Sequence, residues 1–512
     1  MANQLRYRVF YTTRQKIVTS VIALALLAAA VVYVVDRVTT PEDRSCAAGV
    51  ERPEGSAECV GVNGDGHDFG VPALAEVAAA IARENRALKP GTYATVALLL
   101  PLTSPDAGMR IKVLHEVQGA YAQQYRANHA SNDQTPKIRL VLANAGRGSA
   151  HWRAAVDRLK TMTGAPDRLR AVSGVATSST PVREAVTELT RAGIAVVGTT
   201  ITADDIANGP GPGQNRFPGL ARVSPTNTDE AKALGHFGKV DAAKALLVQD
   251  TRSGDHYTDT LKSAFAASLK GAPYEPQLFT SPPDASDEGT TANTFRQITH
   301  LICDTRAETL FFAGRHTQLR QFINALGDRG CTERRFTVLT GDEGSYLGAD
   351  GRLDRDALKA RLTVRYASLA HPDAWKPAGG RTVPAAGGST ADYDRFLADL
   401  AAASKEPVAL EDGQAIVAYD AMATAVHAIR QATGEGKQYP ALADVVTQWP
   451  QVKGSLRVRG ASGWICLDNY GNPYNKAVPI VELAADGTQR FVQIAWPEGR
   501  PPAADCLPPK RG

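Results

Sequence analysis

From residue 92 onward, short apolar runs alternate with longer amphipathic segments, and this alternation constrains the fold more than any other feature. Strand-like runs stand at 94–100 (ATVALLL), 137–143, 169–175, 194–198, 244–250, 308–314 and 336–341. Between them lie segments with helical spacing, at 108–129, 149–163, 181–192, 228–238, 257–269, 290–302 and 316–329. In 108–129 the stripe is Ile111, Leu114, Val117, Tyr121 and Tyr125, the period of one helix face. Strands alternating with helices of this length predict βαβ units and parallel sheets. The run is too long for one compact sheet, and the Gly/Pro-rich stretch 207–226 is a natural seam. The expected fold class is α/β, in two lobes, each a parallel sheet flanked by helices. Helices are expected again at 391–403 and 414–433. Four β-like runs follow, at 454–460, 464–468, 478–483 and 490–496. Residues 273–289 and 371–390 read as exposed loops.

The N-terminus has a different character. Residues 1–16 form a basic segment, and Ile17–Val35 is an uncharged apolar run of 19 residues. At about 1.5 Å per residue it reaches roughly 28 Å, close to the hydrocarbon thickness of a bilayer. The basic flank predicts a cytoplasmic N-terminus and an extracellular body, so the expected location is the cell membrane, single-pass. A cleaved signal peptide is the alternative. Charge supports the division. The chain has 57 Lys and Arg against 53 Asp and Glu, and four of the basic residues lie in 1–35. The body is therefore neutral, with no basic field to attract nucleic acid.

All six cysteines lie beyond the apolar run: Cys46, Cys59, Cys303, Cys331, Cys466 and Cys506. No C-x-x-C spacing supports a zinc site or a redox dithiol. An even number in an exported body predicts disulfides. Neighbourhood in the chain favours 46–59, 303–331 and 466–506. Residues 36–91 read as a linker holding one disulfide turn and a helix at 73–88. Within it, Gly61–Gly66 resembles part of a calcium loop, but Gly61 and Pro72 stand where ligands are needed, so no metal is expected.

Signatures of catalysis are missing: no G-x-S-x-G, no H-E-x-x-H and no phosphate-binding loop. No catalytic residue and no cofactor are expected. The remaining chemistry lies in polar segments at strand ends. Gly174–Pro181 carries Thr177, Ser178, Ser179 and Thr180 where a helix begins, which suits an anion. Gly198–Thr202 carries Thr199, Thr200 and Thr202. Gly341–Gly344 carries Asp342 and Glu343, either a solvated turn or a wall for a cation. In open α/β sheets, ligands bind outside the carboxyl ends of strands.

The order of these segments resembles the type I periplasmic binding proteins, specifically the branched-chain amino-acid (Leu/Ile/Val) binding group of ABC transporter substrate-binding proteins. The resemblance covers about 92–497. It rests on VALLLPLTS, SGVATSST, AGIAVVGTTIT, FFAG, LTGDEG, AYDAMATAVHAI and the late GSLRVRG–CLDNYGNP stretch. It implies two lobes that close on a ligand. Lobe one would hold about 92–224 and 368–453, lobe two about 225–367 and 454–497, with a tail at 498–512. It implies Ser178 as carboxylate ligand, with Ser179 and Thr200 in the same hydroxyl-rich segments. Thr202 would touch carboxylate and amino group, Tyr257 would form a wall, and Glu343 would pair with an α-ammonium. The implied function is a membrane-anchored solute-binding protein for an amino acid or similar small polar molecule. An ABC permease is the implied partner. A ligand-sensing receptor domain is the alternative, and an exported enzyme comes third.

Overall fold

The computed structural model describes residues 12–39, 44–131, 134–211, 213–284, 287–378 and 382–508. It divides into two units, 1–45 and 46–512. The first is built around one helix, Thr13–Thr39. Its stretch Thr13–Val32 is long and apolar enough to cross a membrane, and Leu24, Leu26 and Leu27 on it are exposed.

In the second unit, eight strands form one sheet: β1 (Ser45–Ala47), β2 (Val50–Glu51), β3 (Val60–Asn63), β4 (Tyr93–Leu100), β5 (Lys137–Asn144), β6 (Leu169–Gly174), β7 (Ala195–Gly198) and β8 (Leu220–Arg222). Their order is β1-β2-β3-β5-β4-β6-β7-β8. From β5 to β8 the pairing is parallel. β4 is buried from Ala94 to Leu100 without alternation, as a central parallel strand covered on both faces must be.

A second sheet holds β9 (Ala245–Asp250), β10 (Gln277–Phe279), β11 (Thr309–Ala313), β12 (Phe336–Thr340) and β13 (Leu362–Ala367), with β16 (Val478–Leu483) and β17 (Gln489–Ala495). The order is β10-β9-β11-β12-β13-β16-β17. β16 and β17 join antiparallel, and the rest are parallel. The parallel parts of both sheets thus share the order second-first-third-fourth-fifth. In each, the chain reverses direction between its first and third strands, at β4/β6 and at β9/β11.

Two expectations about the boundaries are corrected. Residues 45–63 are not linker: β3 pairs antiparallel with β5 and extends the first sheet. The Cys46–Cys59 disulfide ties this addition together, and helix Ala75–Ala87 packs Val77, Ala78 and Ile81 into the first lobe's core. The stretch 454–477 does not join the second lobe. The hairpin of β14 (Val458–Gly460) and β15 (Gly463–Ile465) packs Val458, Ile465 and Leu467 into the same core as Val417 and Ala421. Only β16 and β17 cross to the second sheet. The remaining cysteines pair as expected, Cys303 with Cys331 and Cys466 with Cys506. The last bond fastens the C-terminal segment, where Cys506 is buried.

In the first lobe, helix Ala107–His129 starts where the Asp106 carboxylate caps Met109 N–H at 2.7 Å. It lies against helix Gln414–Ala432. A Cβ on Gly119 would stand 2.0 Å from the Ala415 carbonyl oxygen, so only glycine permits this approach. The second lobe is centred on stacked phenylalanines, with Phe312 and Phe322 at 5.3 Å between ring centres.

Candidate functional site

The two reversal points meet at one cavity of about 1030 Å³. The first lobe contributes the loops after β4 (Pro101 to Met109), β5 (Arg147, Ala150) and β6 (Thr177 to Pro181). The second contributes those after β9 (Thr251 to Asp255), β10 (Thr280 to Asp284), β11 (Arg315, His316) and β12 (Glu343). Every one of these loops follows the carboxyl end of a parallel strand. Where neighbouring connections diverge to opposite faces, a crevice opens that no helix covers.

On the first lobe's wall, Gly174 has φ of +89°, and a Cβ there would lie 2.7 Å from the Leu99 carbonyl oxygen. Val175 and Thr177 also sit at positive φ, 49° and 98°. A non-glycine backbone so placed costs about 1–3 kcal/mol and concentrates at ligand sites. Thr177 and Ser179 line the cavity, and neither hydroxyl has a partner among the described residues.

Ser178 differs from expectation. Its Oγ accepts the N–H groups of Thr202 and Ala203 at 3.2 and 3.1 Å, so it joins two first-lobe loops instead of facing the cavity. Its carbonyl accepts Tyr257 N–H at 3.2 Å and Arg315 Nη2 at 3.3 Å, both from the second lobe. Thr200 and Thr202 are buried, with hydroxyls unpartnered, but neither lies on the cavity wall. Tyr257 is 2% exposed and stands behind the wall, with Arg315 stacked 4.6 Å over its ring.

Glu343 does line the cavity, but its carboxylate is occupied. Oε1 accepts Arg315 Nη1 at 2.7 Å. Oε2 accepts His316 N–H at 3.1 Å and lies 2.8 Å from His316 Nδ1. Burial would raise its pKa, but Arg315 and His316 outweigh burial and hold it well below the carboxylate range. The role of free ammonium partner is thus not the one its geometry shows.

Arg315, which the sequence reading missed, organises this wall. Its Nε and Nη2 grip Asp255 at 2.8 and 2.7 Å. Asp255 also accepts from Arg252, and these cations overcome burial to lower its pKa. The strand register explains the Arg315–Glu343 pair. Phe312 stands opposite Thr340 across β11 and β12, and Arg315 and Glu343 each follow three residues later, just past the strand ends. A lone arginine directly after the strand Thr309–Ala313 and Gly314 was the available signal.

Further bonds join the lobes directly. Thr180 Oγ1 donates to the Gly254 carbonyl at 3.2 Å and lies 3.2 Å from His256 Nε2. His256 Nδ1 stands 2.6 Å from Asp205, and Arg147 pairs with Asp284. The lobes are therefore closed on one another around the cavity. Behind it, Lys112 of the first lobe stands 5.8 Å over the Tyr346 ring of the second. Beside Lys112, Glu116 is fully buried, and burial pushes its carboxyl up to about 7. Among the described residues, no cluster of His, Cys, Asp and Glu could hold a metal ion.

No family model matches the sequence, and no curated protein matches it. Solved structures match the fold. One is an ABC transporter substrate-binding protein from Desulfitobacterium hafniense in complex with Leu. It is 15% identical, with a TM-score of 0.55, over 78% of this chain and 100% of that one. A second is the branched-chain amino acid transporter substrate-binding protein LivJ from Streptococcus pneumoniae, in complex with isoleucine. It is 15% identical, with a TM-score of 0.54, over 79% and 99%. A third is a solute-binding protein of an ABC transporter from Rhodopseudomonas palustris HaA2 in complex with p-hydroxybenzoic acid. It is 16% identical, with a TM-score of 0.54, over 79% and 97%. The chain has the two-lobe fold of the type I periplasmic binding proteins, at low sequence identity to each.

Proposed function

We propose that this chain is an extracytoplasmic solute-binding protein, held to the membrane by Thr13–Thr39, whose lobes close on a small organic ligand and deliver it to an ABC-type permease. One observation carries the reading: the reversal points of two parallel sheets bound a single cavity, with bonds from lobe to lobe around it. Three disulfides fit an oxidising compartment. Closure needs no chemistry at the ligand. A ligand that binds the closed form better shifts an open–closed equilibrium by its differential affinity. The solved structures of this fold name ABC transporters and small ligands, amino acids and an aromatic acid among them, which supports uptake as the purpose. A thermal-shift screen of the detergent-solubilised chain against amino acids, organic acids and short peptides tests the proposal. A true ligand at 100 times its Kd should add about 2.7 kcal/mol of stability. A panel in which nothing shifts the transition opposes the proposal.

A further inference from the structure

We infer that the ligand of this cleft has an apolar body and a hydrogen-bond-accepting head, and carries no ammonium group. The inference rests on the solute-binding reading and narrows its ligand class.

An ammonium entering the cleft would need an uncompensated acid on its wall. Asp106 caps Met109 N–H. Asp255 holds two guanidiniums, those of Arg315 and Arg252. Asp284 is paired with Arg147. Glu343 has both oxygens engaged by Arg315 and His316. At Asp255 and Glu343 an entering ammonium would have to displace a buried guanidinium already in place, and at Asp284 the more exposed Arg147. At these three it would lose its hydration and gain a partner only by leaving a guanidinium without one, while Asp106 is engaged by a helix N–H. A buried charge is tolerated when paired, so the exchange favours the resident arginine.

What the wall leaves buried without a hydrogen-bond partner carries no negative charge. The hydroxyls of Thr177 and Ser179 and the Nε–H of Arg252, all on wall residues, have no partner among the described residues. All three groups can donate, which suits a carboxylate or carbonyl head. Apolar side chains also line the cavity, Pro101, Pro105, Met109, Ala150, Pro181 and Pro283, interspersed with further hydroxyls such as those of Ser104 and Ser253. A cavity of about 1030 Å³ is at the upper end of the usual range for ligand pockets, so the body can be larger than one aliphatic side chain.

Two matched sets test this on the whole chain in detergent: leucine, 4-methylpentanoate and 4-methylpentanamide, then phenylalanine, 3-phenylpropanoate and 3-phenylpropanamide. Calorimetry should give at least one acid or amide binding tenfold tighter than its amino-acid counterpart. The acid and amide arms then distinguish an anionic head from a neutral one. Tighter binding of the amino acids would overturn the inference and leave the solute-binding reading intact. So would the absence of binding by all six compounds at millimolar concentration. The variant Ala150→Trp, at an exposed wall position, separates the two ideas: it should abolish binding of whichever compound binds. Binding that survives it lies outside the cleft and removes the solute-binding reading itself.

Discussion

Removing the guanidinium of Arg315 should damage folding more than any other single change in the cleft. Its side chain is 8% exposed and touches Asp255 and Glu343, whose side chains are 5% and 7% exposed. Arg315→Gln leaves two buried carboxylates short of a cation. Breaking a buried pair from one side typically costs about 3–5 kcal/mol, and lost stacking on Tyr257 adds to it. The pH dependence follows from the two carboxyls. In the native chain, pairing lowers the pKa of both against the effect of burial. The stability they contribute is present above the ordinary carboxylate range and is lost only as acid carries them through their low folded values. Without Arg315 burial prevails, so the carboxyls resist ionisation and the penalty is full at pH 7. It should shrink toward pH 4, where they can take up protons. Urea unfolding of both forms in detergent at pH 7 and pH 4 reads this directly. Adding Glu343→Gln to Arg315→Gln should recover part of the loss, a coupling that contact residues show. A deficit below about 1 kcal/mol at pH 7, or one unchanged at pH 4, would refute the reasoning.

Four further outcomes follow from the same geometry. Glu116 is raised to about 7 by burial, so its contribution is full at acid pH and lost as pH rises through 7. Glu116→Gln should therefore flatten the fall in melting temperature between pH 5 and pH 8, and a profile parallel to wild type rejects this. Ser178→Ala leaves the Thr202 and Ala203 amides without their acceptor. It should cost about 1–3 kcal/mol of stability, readable by urea unfolding, and an unchanged unfolding midpoint would argue against that role. Replacing Cys303 and Cys331 by serine opens a bridge of separation 28 and should remove about 3.6 kcal/mol in the chain-entropy model. Mass mapping that finds either thiol free in the native chain contradicts it. N-terminal sequencing of the membrane fraction should return the residues ahead of Ile17, and a start near residue 31 would show the apolar helix to be a cleaved signal.

Much of the fold was legible because it follows from periodicity. A buried parallel strand such as β4 must be apolar at nearly every position, and the helix beside it must carry a stripe. The strands at 45–63 were not legible. They are two to four residues long and interrupted by glycines at 49 and 61, so no run marks them. The hairpin at 458–465 reads as β from sequence, but its lobe depends on which core it reaches. The strand-end segments did converge on one region, and Ser179 and Glu343 lie on the cavity wall. The roles of Ser178 and Glu343 could not be read. A serine hydroxyl beside a helix start looks the same whether it faces a ligand or the amides of residues 202 and 203. A glutamate after a strand looks free until the register brings Arg315 to it from 28 residues away.

Lobe closure as proposed holds the ligand between the lobes at the two reversal points. Hydrogen–deuterium exchange of the whole chain measures this most directly, with and without the compound that most raises its melting temperature. Protection should appear together in 177–181, 252–256 and 315–316, from both lobes, and leave the outer helices unchanged. Protection confined to one lobe, or falling outside these loops, would contradict the account.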